Sequence, residues 1–226
     1  MKKFTFVLMS VLIALGSYAQ NAMSFKNVLT TKASVSAVHT VQSKAVIWSD
    51  DFSTPANWVI DHQAGTTGDW VIGTNGPSGT YAIPAITSTS GGNFALFDSD
   101  VICSGNQIAN LTTANPIDLT GHTAVMLQFE QMYRRWYDST FVFVSTDGTN
   151  WTKFPVNATY TNNQMTSNPN VVSVNISSAI IANPANVKIR FQFYSPSSMG
   201  TSAGCGYAWM IDDVKIIDAL TNDVEV

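Results

Sequence analysis

Cysteine, histidine, glutamate and long apolar runs are all scarce in this chain of 226 residues. Two cysteines, Cys103 and Cys205, are too few for a multiply cross-linked mini-domain or a zinc site of four thiolates, and three histidines leave little for a histidine-rich metal centre. The two glutamates, Glu130 and Glu225, nearly exclude chemistry that needs a glutamate pair. There is no His-Glu-x-x-His, no Gly-x-Ser-x-Gly, no phosphate loop and no Glu-x-Asp-x-x-Glu strand of the glucanase kind. His62 and His122 read as loop residues rather than general bases, and neither cysteine has a basic neighbour to activate it. These gaps favour a protein that is not an enzyme.

The apolar run from Phe4 to Leu15 is too short to span a bilayer, and no later stretch approaches the roughly 20 residues required. With Lys2 and Lys3 before it and Ser17-Tyr18-Ala19 after it, the segment reads as an export signal over residues 1–19. Its removal takes two lysines and no acid, so the net charge of −4 becomes −6, which argues against nucleic acid or anionic lipid as a partner. Residues 20–44 carry Ser, Thr, Ala, Val and Asn without a period and read as a leader or linker. The folded body is expected over residues 45–218, with a short tail over 219–226.

From Ala45 to Tyr133 there is no lysine or arginine, yet the stretch holds Asp50, Asp51, Asp61, Asp69, Asp98, Asp100, Asp118 and Glu130. Carboxylates without basic partners must stay hydrated, take up protons or share a cation, and outside the cell calcium is the hard cation at hand. A solvated acidic face is the plainer reading of the same count.

What is plentiful is alternation at period two. Val187, Ile189, Phe191 and Phe193 fall on one side of a strand, and Lys188, Arg190, Gln192 and Tyr194 on the other; Leu127 and Phe129 alternate with Gln128 and Glu130 in the same way. Further strand-like runs lie near residues 45–48, 58–60, 70–72, 94–97, 141–144, 171–176 and 208–217, separated by Gly76-Pro77, Gly91-Gly92, Asp147-Gly148 and Asn183-Pro184. Some ten strands with almost no helix predict an all-β fold, a jelly-roll sandwich of two antiparallel sheets. Ser145 to Trp151 predicts a hairpin turn with Trp151 returning to the core.

Several motifs in order carry a family resemblance over about residues 45–218: Asp50-Asp51-Phe52 followed by Trp58; Asp69-Trp70, then Gly91-Gly92-Asn93-Phe94-Ala95-Leu96; Leu111 to Leu119; Ser145-Thr146-Asp147-Gly148 with Trp151; and Trp209-Met210-Ile211-Asp212-Asp213-Val214. The chain resembles the MAM-like jelly-roll group, nearest the choice-of-anchor J and cleaved-adhesin modules of secreted Bacteroidetes proteins, which include the gingipain adhesin repeats. It departs from many relatives at Ser53, where they have Glu. The resemblance implies a structural calcium ion held by acids of the opening Asp50-Asp51 and closing Asp212-Asp213 segments. The residues suggest the same convergence, because a sandwich often brings its chain ends together, with Asp98 or Asp100 as a third contributor. The alternative is that these aspartates only cap turns and loops. If the acids do meet, Cys103 and Cys205 come near enough to bond, as expected in an oxidising compartment; otherwise they are two separate buried thiols. Relatives often continue into a C-terminal sorting domain for surface anchoring, and no such segment follows in this sequence, so an anchor is either lacking or cut off.

The local candidate for ligand binding is Tyr133-Arg134-Arg135-Trp136-Tyr137, where aromatic rings stand beside the only paired basic residues after the signal. Such a run suits sugar rings or an acidic peptide, although strand-edge aromatics and arginines more often pack across neighbouring strands. The expectation is a secreted or cell-surface, non-catalytic adhesion or ligand-binding module, with an extracellular glycan or protein as partner and calcium as structural cofactor. An accessory or degenerate hydrolase and a purely structural surface protein are the other classes.

Overall fold

The period-two alternation becomes eleven strands in the computed structural model, which describes residues 45–219. The signal over 1–19, the leader over 20–44 and all but the first residue of the tail lie outside the described residues. The strands are β1 (Val46–Asp50), β2 (Trp58–His62), β3 (Val71–Gly73), β4 (Phe94–Asp98), β5 (Gln107–Thr113), β6 (Val125–Tyr133), β7 (Ser139–Ser145), β8 (Thr152–Val156), β9 (Asn170–Asn175), β10 (Lys188–Ser195) and β11 (Ala208–Asp218). The one α-helical turn among the described residues, α1, is Ser99–Ile102.

All named pairings are antiparallel and form two sheets, one in the order β3-β4-β11-β6-β9 with β1 added to β11, the other in the order β2-β5-β10-β7-β8. The chain is a jelly-roll β-sandwich. Its inward faces come from the predicted alternation: Ile189, Phe191 and Phe193 of β10 are fully buried, as are Leu127 and Phe129 of β6, while Lys188, Arg190, Gln192 and Tyr194 are half-buried on the outer face. Between the sheets, Trp58, Trp70, Phe97, Phe129, Phe191, Phe193 and Trp209 form one continuous aromatic contact network, with Phe97 stacked on Phe193 at 4.4 Å. Stacked and edge-on rings of this kind add to their area burial.

Two strands escaped the sequence pattern for opposite reasons. β5 is buried on both faces over most of its length, so it shows no alternation. β8 is an edge strand carrying Lys153 and Pro155, residues that protect an edge but do not look strand-like. The β7–β8 turn is as expected, with Gly148 at φ +72, but Trp151 does not return to the core. It is half-buried under the Arg190 guanidinium, 3.9 Å from the ring centroid, because the outer face of β10 offers a cation there.

A long connection over residues 74–93 runs across the outer face of the first sheet. It buries Ile83 and Ile86 against Phe94, Leu96, Met132, Ala208 and Met210 in a second, smaller core, on the order of 2 kcal/mol for each isoleucine. That segment positions the acids described next.

Candidate functional site

β11 is the strand on which the acidic site is built. Along one edge it pairs first with β4, from Ala208↔Asp98 to Ile211↔Ala95, and then with β1, from Asp50↔Val214 to Val46↔Ile217. Against β6 on the other edge, the register slips between Asp212↔Glu130 and Lys215↔Gln128, so β11 holds one extra residue. Asp213 sits in this bulge at φ +48, a left-handed conformation that aspartate tolerates better than most side chains. The bulge presents Asp213 at the place where β1 ends at Asp50, whereas its neighbour Asp212 is fully buried, its carboxylate accepting from the Ser88 and Ser90 hydroxyls.

Asp50, Asp51, Glu130 and Asp213 line one open cavity of about 470 Å³, with Ser49, Ser53, Asn57, Thr89, Ser90, Val214 and Lys215. The expected meeting of the two ends of the body therefore occurs. Asp98, Asp100 and Asp212 do not line it. Asp98 stands opposite Ala208, four residues from Asp212 along β11, or about 14 Å at strand rise. Its carboxylate caps α1 through the Val101 amide and accepts from the Ser78 amide at 2.8 Å, while Asp100 accepts from the Tyr81 amide. Glu130, Thr89 and Ser90 take part instead. The alternation of β6 put Glu130 on an outward face, but only the cross-strand register puts it beside Asp212.

The structure also shows how eight acids manage without local cations: each accepts hydrogen bonds from neutral donors or a histidine. Asp50 takes the Phe52 amide, the Trp58 indole N–H at 2.8 Å and the Asn57 side chain; Asp51 takes the Ser53 amide; Asp61 pairs with Asn110, Asp69 with His62, and Asp118 with the Thr120 amide. Glu130 accepts both the amide and hydroxyl of Thr89, Asp213 the Ser90 amide, and Asp212 the Ser88 and Ser90 hydroxyls. Five of the protein's acids, Asp98, Asp100, Glu130, Asp212 and Asp213, thus fasten the 74–93 segment onto its sheet. Hydrogen bonds to Ser53 hold Asp51 below the usual carboxylate range, whereas burial pushes fully buried Asp212 up to about 6 against its hydroxyl and amide donors, the Asp213 charge adding to the rise.

The cavity is lined by hard oxygen donors of the type calcium takes. Among the described residues, no three acidic, histidine or cysteine groups are gathered closely enough to hold a metal as they stand.

The second candidate site is at the other end of β4. Cys103 and Cys205 form a disulfide across 102 residues of chain, resolving the choice between a bridge and two thiols. Around it, Gly206 donates to the Ser99 hydroxyl at 2.7 Å, Gln107 donates to the Gly204 carbonyl at 2.6 Å, and Gly204 donates to Ser195 Oγ at 2.8 Å. Gly204, at φ +77, packs so tightly on the Gly105 carbonyl that a Cβ would lie 2.0 Å from its oxygen. Beside this anchored loop, Trp136, Tyr207 and Tyr81 line a cleft of about 490 Å³ with Thr201, Ser202, Cys205 and Gly206.

The run Tyr133 to Tyr137 divides between these roles. Tyr133 is buried, its hydroxyl donating to buried Asp138, and burial pushes its phenol well up. Arg134 lies 4.1 Å above the Tyr207 ring and donates to Asn163. Arg135 donates to the Ala158 and Tyr160 carbonyls, so its charge ties down the 157–164 loop and is not offered to a ligand. Tyr137 is exposed and packs edge-on against Trp136 at 5.1 Å. Of the five, Trp136 alone lines the cleft, and its partners Tyr81 and Tyr207 come from distant parts of the chain with no motif to announce them.

No family model matches the chain, and no curated protein matches it in sequence. Among solved structures it is similar to the K1 cleaved adhesin domain of Lys-gingipain from Porphyromonas gingivalis W83, with 15% identity, 76% of this chain and 98% of that one covered, and a TM-score of 0.48. It is also similar to TmCBM61 in complex with beta-1,4-galactotriose, with 13% identity, 75% and 91% covered, and a TM-score of 0.45. A third is the CBM22-2 xylan-binding domain of Paenibacillus barcinonensis Xyn10C, with 12% identity, 76% and 99% covered, and a TM-score of 0.45.

Proposed function

We propose that this chain is a secreted, non-catalytic adhesion or ligand-binding module that takes an extracellular glycan or protein ligand in the Trp136 cleft. The observation carrying the reading is the grouping of Trp136, Tyr207 and Tyr81 with the hydroxyls of Thr201 and Ser202 around a disulfide-anchored cleft. Aromatic faces match the C–H faces of a sugar ring and hydroxyls match its rim, so a glycan is the better fit of the two ligands. The two carboxyls that burial makes less acidic are poorly placed for turnover: Asp138 is sealed behind Tyr133, and Asp212 has its carboxylate engaged by Ser88, Ser90 and the Asp213 amide. On a glycan and host-protein array, the mature protein binds without turnover. Trp136→Ala and Tyr207→Ala each weaken that binding about tenfold or more, the loss typical of a central aromatic anchor, with the melting temperature held as control. Unchanged binding in both variants removes the cleft from consideration.

In the same reading, calcium stabilises the fold at the cavity lined by Asp50, Asp51, Glu130 and Asp213, two of these carboxylates with loop carbonyls and water supplying its oxygens, since no three acids among the described residues are gathered closely enough as they stand. Asp98 and Asp100 are no part of that set. Adding millimolar calcium to chelated protein is expected to raise the melting temperature by about 4 °C or more, and Asp213→Asn to abolish the rise. A melting curve indifferent to calcium eliminates the ion from the proposal.

A further inference from the structure

The acids and the cations of this chain are divided unevenly between its two sheets. Asp98, Glu130, Asp212 and Asp213 belong to the first sheet. Residues 45–219 hold Arg134, Arg135, Lys153, Lys188, Arg190 and Lys215 and no other lysine or arginine. Of these, Lys153, Lys188 and Arg190 stand together on the outer face of the second sheet, because Ile189 and Phe191 of β10 and Val142 and Val144 of β7 take the inner one. The register sets their spacing. Phe143 of β7 faces Lys153 of β8 on one side and Arg190 of β10 on the other, so the backbones of these two cations flank a ring at about 10 Å, two strand spacings, and Lys188 follows about 7 Å along β10.

These charges are held in place without being neutralised. The Lys153 ammonium lies 3.6 Å from the centroid of the Phe141 ring, as the Arg190 guanidinium does 3.9 Å from that of Trp151. Among the described residues none of the three makes an ion pair. Lys188 donates to the Ala114 carbonyl; Arg190 donates through Nε to Thr112 at 3.0 Å, and its two Nη groups have no acceptor and are not sealed from solvent. Arg190 feels the charge of Asp61, the carboxylate on this face, but Asn110 holds Asp61 at 2.6 Å; Asp147, in the β7–β8 turn, is taken by the amides of Thr149 and Asn150. We infer that the outer face of the second sheet binds an acidic polysaccharide, whose carboxylates or sulfates pair with Arg190 and Lys153 and whose sugar faces lie on Phe143 and Tyr194. Charge selects the occupant: exposed acids of the first sheet stand beyond the roughly 10 Å between packed sheets, and salt screens charges over about 8 Å. Residues 20–44 add Lys26, Lys32 and Lys44 and no acid, so they bring nothing complementary to this face. One oxyanion does not bridge cations about 10 Å apart, so the ligand carries several along a chain. Phe143, Phe141 and Tyr194 meet edge-on at 6.1 and 5.8 Å in a row along the strands, which suits successive sugar rings, whereas the side chains of an acidic peptide offer such rings no flat C–H face. This surface is separate from the Trp136 cleft and takes its ligand whether or not the cleft is filled.

Calorimetry of the mature chain, residues 20–226, against polygalacturonate, its fully methyl-esterified neutral form, dextran sulfate and polyglutamate tests this. At least one of the two acidic polysaccharides is expected to bind, polygalacturonate if the oxyanion is a carboxylate and dextran sulfate if it is a sulfate, with affinity that falls as salt is added. Arg190→Gln weakens that binding about tenfold or more, the loss of a hydrogen-bonded charge. Lys153→Gln, at an exposed position, weakens it in the same direction and serves as the second variant should Arg190→Gln fold poorly, as its melting curve reports. No binding of either acidic polysaccharide overturns the inference. So does binding of the methyl ester as tight as that of polygalacturonate, which removes charge from the recognition, and so does binding of polyglutamate as tight as that of the better polysaccharide, which makes an acidic protein the partner. Binding that both glutamine variants leave unchanged overturns it as well, because the ligand then sits elsewhere on the molecule.

Discussion

Changing both Cys103 and Cys205 to serine lowers the free energy of unfolding by about 4 to 5 kcal/mol, the largest single loss expected in this protein. The bridge closes a loop of 102 residues, and chain-entropy arguments assign a loop of that length a contribution of this size, acting on the unfolded ensemble. The folded state should change little, because Ser99, Gln107, Ser195 and Gly204 already bond the same loop together. In urea the midpoint is therefore expected to fall while the far-ultraviolet spectrum of the native state stays as it was. Ligand affinity at the Trp136 cleft should fall as well, since Cys205, Gly206 and Tyr207 form part of its wall. A loss below about 1 kcal/mol would mean that other contacts already close this loop in the unfolded chain.

The same region shows what the sequence could and could not tell. Alternation in β6 and β10 declared the two inner faces, because a half-buried strand must alternate, and the sandwich followed from repeating that pattern along the chain. The convergence of Asp50 and Asp51 with Asp213 was legible from the ends of the body and the family resemblance. The third partner was not. Whether Asp98 or Glu130 stands beside Asp212 depends on which strand pairs where with β11, and on a bulge that shifts the register by one residue. Neither leaves a local signal. In the same way Trp136 was visible as an aromatic beside two arginines, but the arginines are spent on Tyr207, Asn163 and the 157–164 loop. The excess of acids was legible as a problem, whereas its solution, neutral donors from residues 77–91 and the turns, required the path of the 74–93 segment.

Stability is also expected to rise as the pH falls from about 7 to about 4, opposite to the usual acid response. Asp138 is fully buried, and burial pushes its carboxyl from 3.8 up to about 6 against the opposing hydrogen bonds from Tyr133 and the Trp136 amide and the charge of Arg135. The folded state therefore binds this proton more tightly than the unfolded chain does, and the unfolding free energy grows as pH drops between the two values. For a group so fully buried, folding with the carboxyl ionised costs on the order of 3 kcal/mol more than folding with it protonated, a difference that is fully present at pH 8. Below about pH 4 the trend reverses. Asp51, Asp118 and Asp147 are exposed carboxyls that their neighbours' hydrogen bonds hold below 3.8, so the stability they contribute is lost only as acid protonates them in the fold. Asp138→Asn separates the two limbs. The amide keeps an oxygen for the Trp136 N–H and turns an N–H to the Tyr133 oxygen, whose own proton can swing away. Urea midpoints in the presence of a chelator should then be higher for the variant than for the parent at pH 8, equal near pH 4, and flatter in between. A parent whose midpoint instead falls steadily from pH 7 to pH 4 would show that Asp138 stays ionised in the core, held by Arg135 more strongly than burial opposes it.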